Sequence, residues 1–147
     1  MAFPTDWGHF FEMTTQPTAV SGDNSDFPAY FDLANAPSGF WSKVQLSGQD
    51  IRVTDTDDNI IPHEVSSFDF FDQRGSLWFK IALLDDNNAV TIRVWYNNPN
   101  ASALPVTDPN GRNAVWSNGL LGVWHLDEDG GDAVDSSGNG IDGVVNG

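Results

Sequence analysis

The sequence predicts an all-β fold, an antiparallel β-sandwich of jelly-roll-like plan with one short helical turn and an extended C-terminal segment. Short stretches rich in β-branched and aromatic residues recur about every ten residues, the spacing of sandwiches and barrels. The stretches between them hold Gly, Pro, Asn and Asp, which favour turns. Acidic residues alternate with apolar ones and form no long block, so the 147 residues can bury a core instead of staying disordered.

The elements follow in order. "FFEMTT" (10–15) is a short strand, and the turn-forming "SGDNSDFP" (21–28) leads into a second strand, "AYFDL" (29–33). "APSGFWSKVQ" (36–45) is the one helical candidate, with Ser38 placed to cap it and Phe40, Trp41 and Val44 turned inward. "DIRVTD" (50–55) alternates cleanly, with Ile51 and Val53 on one face and Arg52 and Thr54 on the other. "HEVSSFDFF" (63–71), "SLWFKIAL" (76–83) and "AVTIRVWYN" (89–97) are the next strands, separated by "DTDDN", "DQRG" and "LDDNN". Residues 97–118 read as a connector rich in Pro, Asn and Gly, and "LGVWHLD" (121–127) as a seventh strand.

Composition narrows the function. Against 21 Asp and Glu stand six Lys and Arg, a formal net charge of −15 at pH 7. Such a surface repels phosphate backbones and anionic lipid, so neither nucleic acid nor membrane is an expected partner. With no Cys there are no disulfides. "MAFPTDWGHFFEM" has no basic region followed by an apolar run, the mark of a signal peptide. The expectation is a protein made in a cytoplasm.

The loop "DEDGGDAVD" offers Asp127, Asp129, Asp132 and Asp135 as hard oxygen ligands for calcium. It lacks the EF-hand pattern, and a solvated acidic turn is the alternative; otherwise no cofactor is expected. Asp55, Asp57, Asp58 and Asn59 are better read as a hairpin turn bonding its own amides. Paired carboxylates raise glycoside hydrolysis, which needs one acid kept protonated in an apolar pocket beside an ionised partner. Glu12 and Glu64 are the strand acids best placed for it, yet alternation gives no reason to bury either. His9, His63 and His125 lack metal-ligand spacing, and no activated nucleophile is evident, so no enzyme is expected.

Aromatic residues stand out more. Trp78 beside Phe79, and Trp95 beside Tyr96, must point to opposite faces of a strand. At least one ring of each pair therefore faces away from a one-sided core. Trp78, Trp95, Tyr96 and Trp124 are the candidates for a subunit interface or a glycan-stacking surface, with protein contact the favoured role.

The phrases "SDFPAYFDL", "GFWSKVQLSGQDIRVTDTDDNIIPHEV", "SLWFKI", "TIRVWYNNPNA" and "VWSNGLLGVWHLDED" together resemble the DUF2341 family over roughly residues 7 to 127. The family's Tyr-Gly-Asn-Pro turn stands here as Tyr96-Asn97-Asn98-Pro99, and Asn also tolerates a left-handed backbone. "DSSGNGIDG" (135–143) resembles the opening of a laminin G-like or concanavalin-like jelly roll, with Ile141 and Asp142 in place of the usual pair. The resemblance implies a β-sandwich over 1–127. It also implies that 128–147 form an acidic loop and the first strand of a jelly roll, truncated or completed by a partner. It implies a non-catalytic structural or attachment module of a tailed-phage virion, in a fibre, tail tip or head decoration. The partners would be other virion proteins and copies of the chain, a trimer first, with a host-surface glycan as a further one. The alternative is a carbohydrate-binding module of a bacterial surface or secreted protein.

Overall fold

In the computed structural model, residues 5–146 are described. Residues 1–4 and 147, the outermost parts of the two expected regions, lie outside them. Six strands form two three-stranded antiparallel sheets. The first sheet holds β1 (His9–Thr14), β3 (Arg52–Thr54) and β6 (Thr91–Tyr96), with β6 in the middle. The second holds β2 (Asn24–Asp32), β4 (His63–Asp69) and β5 (Arg74–Leu84), with β5 in the middle. The all-β sandwich is thus observed.

Alternation builds the core between the sheets. Phe11, Val53, Ile92, Val94 and Tyr96 from the first sheet meet Leu77, Phe79 and Ile81 from the second in one buried cluster. Burying each such side chain stabilises by about 1.5–3 kcal/mol. Leu33 and Phe40 are fully buried in the same cluster, Phe40 lying edge-on to Tyr96 at 4.9 Å.

Several local expectations change. The 36–45 stretch buries Phe40, Trp41 and Val44 as expected, but as successive turns, since Gly39 sits at φ +96° and interrupts helical geometry. The regular helix is α1 (Arg112–Val115), inside the connector. β2 starts at Asn24, earlier than read, with the pairing register skipping Asp26, whose φ is +49°. The seventh strand reduces to one bridge, Trp124 with Asp135, because Leu126 at φ +57° leaves the extended region. The Asp55 carboxylate does accept the Asp57 and Asn59 amides, each at 2.9 Å.

β3 is buried on both faces. Outside the first sheet, the Arg52 guanidinium donates to the carbonyls of Gln49, Ile51 and Ser102 and lies over the Trp7 ring. Trp95 belongs to this outer layer: its Nε1 donates to Thr54 Oγ1 at 2.9 Å, and its ring packs on Phe10 at 4.4 Å. Thr54 and Phe10 of the same chain thus cover the Trp95 ring.

Asp50 fixes the next connection. Fully buried, it accepts the Gln45 amide at 3.0 Å through Oδ1 and those of Asn97 and Asn98 at 2.8 and 3.2 Å through Oδ2. Asn97 stands at φ +70°, the left-handed conformation expected for the Asn that replaces Gly. Asp50→Ala strands three amides and is expected to lower stability by about 3 kcal/mol, read as a fall in urea midpoint at constant slope. An unchanged midpoint would mean that water replaces the carboxylate.

Candidate functional site

Pairing aligns Tyr30 of β2, Trp78 of β5 and Glu64 of β4 in one row across the outer face of the second sheet. Glu64 is 8% exposed, against the expectation from alternation. The reason is that this face is not solvated: Trp116 after α1 and the segment from residue 120 onward cover it. Glu64 Oε2 accepts Trp116 Nε1 at 2.9 Å and pairs with His125 Nε2 at 3.0 Å, while Oε1 accepts Ser136 Oγ at 2.9 Å. The His125 ring stacks on Trp78 with centroids 5.4 Å apart, and Trp116 lies 5.2 Å from Trp78.

Polar side chains, with two isolated antiparallel bridges, Trp124 with Asp135 and Ala133 with Gly143, hold residues 120–146 together. Asp135 is the hub: its Oδ1 accepts the amides of Val123 and Ser137, and its Oδ2 accepts Ser137 Oγ and the Ile141 amide. These donors, the Val123 amide first, hold its carboxyl well below the usual carboxylate range. Asn139 Nδ2 donates to the carbonyls of Leu120 and Leu121. Trp124 Nε1 donates to the Ile141 carbonyl at 2.8 Å, and its ring lies so close over Gly122 that a methyl group there would collide with it.

The structure separates the four carboxylates considered for calcium. Asp127 accepts the Ser67 amide and hydroxyl at 3.0 and 2.7 Å, tying the segment to β4. Asp135 is engaged as described, Asp132 accepts the Val145 amide at 3.3 Å, and Asp129 is exposed. Among the described residues, the carboxylates gathered to within 4.8 Å of one another are Asp23, Asp85 and Asp86. Of the aromatic candidates, Tyr96 is in the core, Trp95 is buried against Thr54, and Trp78 lies beneath Trp116 and His125. Trp124 keeps 41% of its surface exposed.

Two cavities adjoin Glu64. One, of about 340 Å³, lies between β4, Arg112 of α1 and the C-terminal segment, with Ser66, His125, Asp127, Glu128 and Ser136 on its walls. The other, of about 280 Å³, is bordered by Arg52, His63 and Arg112. His63 Nδ1 is 2.8 Å from the Ile61 carbonyl, and burial pushes its pKa down to about 4. His125 moves the other way, raised first by its hydrogen bond to Glu64 and then, against the cost of burial, by the charges of Glu64 and Asp127. Sequence reasoning passed over Glu64 as a buried anchor, along with Trp116, Ser136 and Arg112. The available signal was that a Trp and a Ser in the connector and tail each need a partner when buried.

A two-sheet sandwich closed on one face by its own polar-stapled tail is the class of domain this geometry defines. The sequence profile described as "Domain of unknown function (DUF2341)" matches residues 47–136, more than half of the chain, and the chain belongs to that family. The match contains Glu64 and all three of its side-chain partners, Trp116, His125 and Ser136. No curated protein and no solved structure matches the chain.

The two histidines give opposite pH limbs. His125, raised in the fold, stabilises fully below its unfolded pKa of about 6.5, and this is lost as pH rises through the raised value. His63, depressed to about 4, stabilises above about 6.5, and about 3 kcal/mol is lost as pH falls between those values. The stability difference between wild type and His125→Gln is therefore expected to be larger at pH 6 than at pH 9 in denaturant titrations. A difference that grows with pH would contradict the pairing.

Proposed function

We propose that this domain is a non-catalytic structural and attachment module, working in a tailed-phage virion as a fibre, tail-tip or head-decoration component. Its contact surface is the outward face of residues 120–146, and its partners are copies of the chain, a trimer first, and other virion proteins. The observation that carries this reading is where large apolar side chains stay exposed. Leu121, Leu126, Val144 and Val145 are 80%, 75%, 70% and 66% exposed, with Ile141 and Trp124 beside them in sequence. Trp124, Leu126, Ala133, Gly143, Val144 and Val145 line one groove of about 420 Å³. On a chain of net charge −15, a concentrated apolar surface favours contact with protein.

The carboxylates support the non-catalytic part. Glu64 spends both oxygens on Trp116, His125 and Ser136, and Glu12 pairs with Arg93 at 3.1 Å. Neither has the apolar pocket and free second carboxylate that general acid catalysis needs. The virion setting comes from the family resemblance, and this reading requires no cofactor. A second reading, a carbohydrate-binding module of a bacterial surface protein, is favoured by Tyr30, half exposed with its ring 4.8 Å from Trp78.

Mass in solution by light scattering tests the proposal. Copies this acidic repel one another at low ionic strength, so association should strengthen as salt screens them. A trimer forming with added salt and reverting to monomer in Leu126→Glu is the expected result. A monomer at every salt concentration would overturn the self-association, and an oligomer indifferent to Leu126→Glu would overturn the contact surface.

A further inference from the structure

The layer between the second sheet and the C-terminal segment contains an unusual concentration of unpaired polar atoms. Among the described residues, four buried side-chain atoms have no hydrogen-bond partner: Ser66 Oγ, Trp78 Nε1, Arg112 Nε and Asn113 Oδ1. Ser66 and Trp78 stand on the outer face of β4 and β5, and Arg112 and Asn113 belong to α1 above it. Leaving such groups unpaired is unfavourable, so several in one layer favour a polar occupant.

Arg112 is the most telling of the four. Arg52 is engaged by carbonyls, Arg74 by Asp69 and Asp72, Lys80 by Asp26, and Arg93 by Glu12 and Asp58. Lys43 is exposed to solvent. Arg112 alone is a partly buried cation with neither carboxylate nor carbonyl partner among the described residues, in a chain with 21 acidic side chains. It borders the cavity of about 340 Å³ together with Ser66.

The geometry points to this cavity as a binding site for an acidic sugar, with Arg112 taking the sugar carboxylate through its terminal nitrogens. A planar guanidinium matches a carboxylate in fork geometry. The acids on the walls are held by donors of the protein: Glu64 as described, Asp127 by Ser67, and Glu128 by the Val134 amide at 2.7 Å. They still repel a dianion, which favours a singly charged carboxylate over phosphate. Each carboxylate has several lone-pair directions, so their remaining ones, with the Ser67 and Ser136 hydroxyls, suit a ligand carrying hydroxyl donors around its acid group. The site is separate from the apolar groove and does not rest on the attachment reading.

The test is a titration of the isotope-labelled full chain with sodium glucuronate and, separately, N-acetylneuraminate, following the Trp78 and Trp116 indole and Arg112 Nε–H resonances. Glucose, acetate and inorganic phosphate are the controls. Saturable shifts with at least one acidic sugar, absent with glucose and at least tenfold weaker with acetate and phosphate, are expected. Arg112→Gln should weaken binding at least tenfold with an unchanged melting temperature, since its side chain makes no bond to lose. Saturation by neither sugar, equal response to glucose, phosphate binding as tight as sugar, or full binding by Arg112→Gln would each overturn the assignment.

Discussion

One buried carboxylate organises the outer half of this molecule. Glu64 sits on a β-strand face that would be solvated in a simple sandwich, and it gathers an indole, an imidazole and a hydroxyl from three places in the later chain. An unpaired buried charge would cost several kcal/mol, so the carboxylate is tolerable only with these donors in place. The dependence is reciprocal. Trp116, His125 and Ser136 have their polar atoms satisfied on this face because Glu64 is there.

The same device recurs at Asp50 and Asp135, each a carboxylate accepting backbone amides where regular pairing has stopped. In the core, by contrast, apolar burial between the sheets does the work. This division has a consequence for the surface. Because residues 120–146 are held by polar bonds, their large apolar side chains are not needed inside and remain outside. Exposed apolar surface and polar staple are two sides of one arrangement.

Alternation made the strands legible. Ile51 and Val53, Leu77 and Phe79, and Val94 and Tyr96 sit where period-two reasoning places the core or its opposite face. The left-handed Asn97 was legible from turn chemistry. Glu64 was not, because alternation says which face a residue occupies and nothing about what covers that face. The cover comes from residues more than fifty positions later, joined by single side-chain bonds without periodicity. Leu126 failed for a local reason: a Leu at positive φ is rare, and apolar patterning reads such a residue as strand. Arg112 carries no sequence signal, since what distinguishes it is the absence of a partner among the described residues.

The most direct test of the Glu64 anchor is amide and indole hydrogen exchange in Glu64→Gln. A neutral amide of nearly the same shape keeps the packing, removes the charge that holds His125, and turns one acceptor into a donor facing it. The account predicts at least tenfold faster exchange at the Trp116 indole and at the Ser67 and Ser136 amides, with the amides of β5 and β6 unchanged. Unaltered protection at Trp116, Ser67 and Ser136 would show that the segment docks without the carboxylate, contradicting the account.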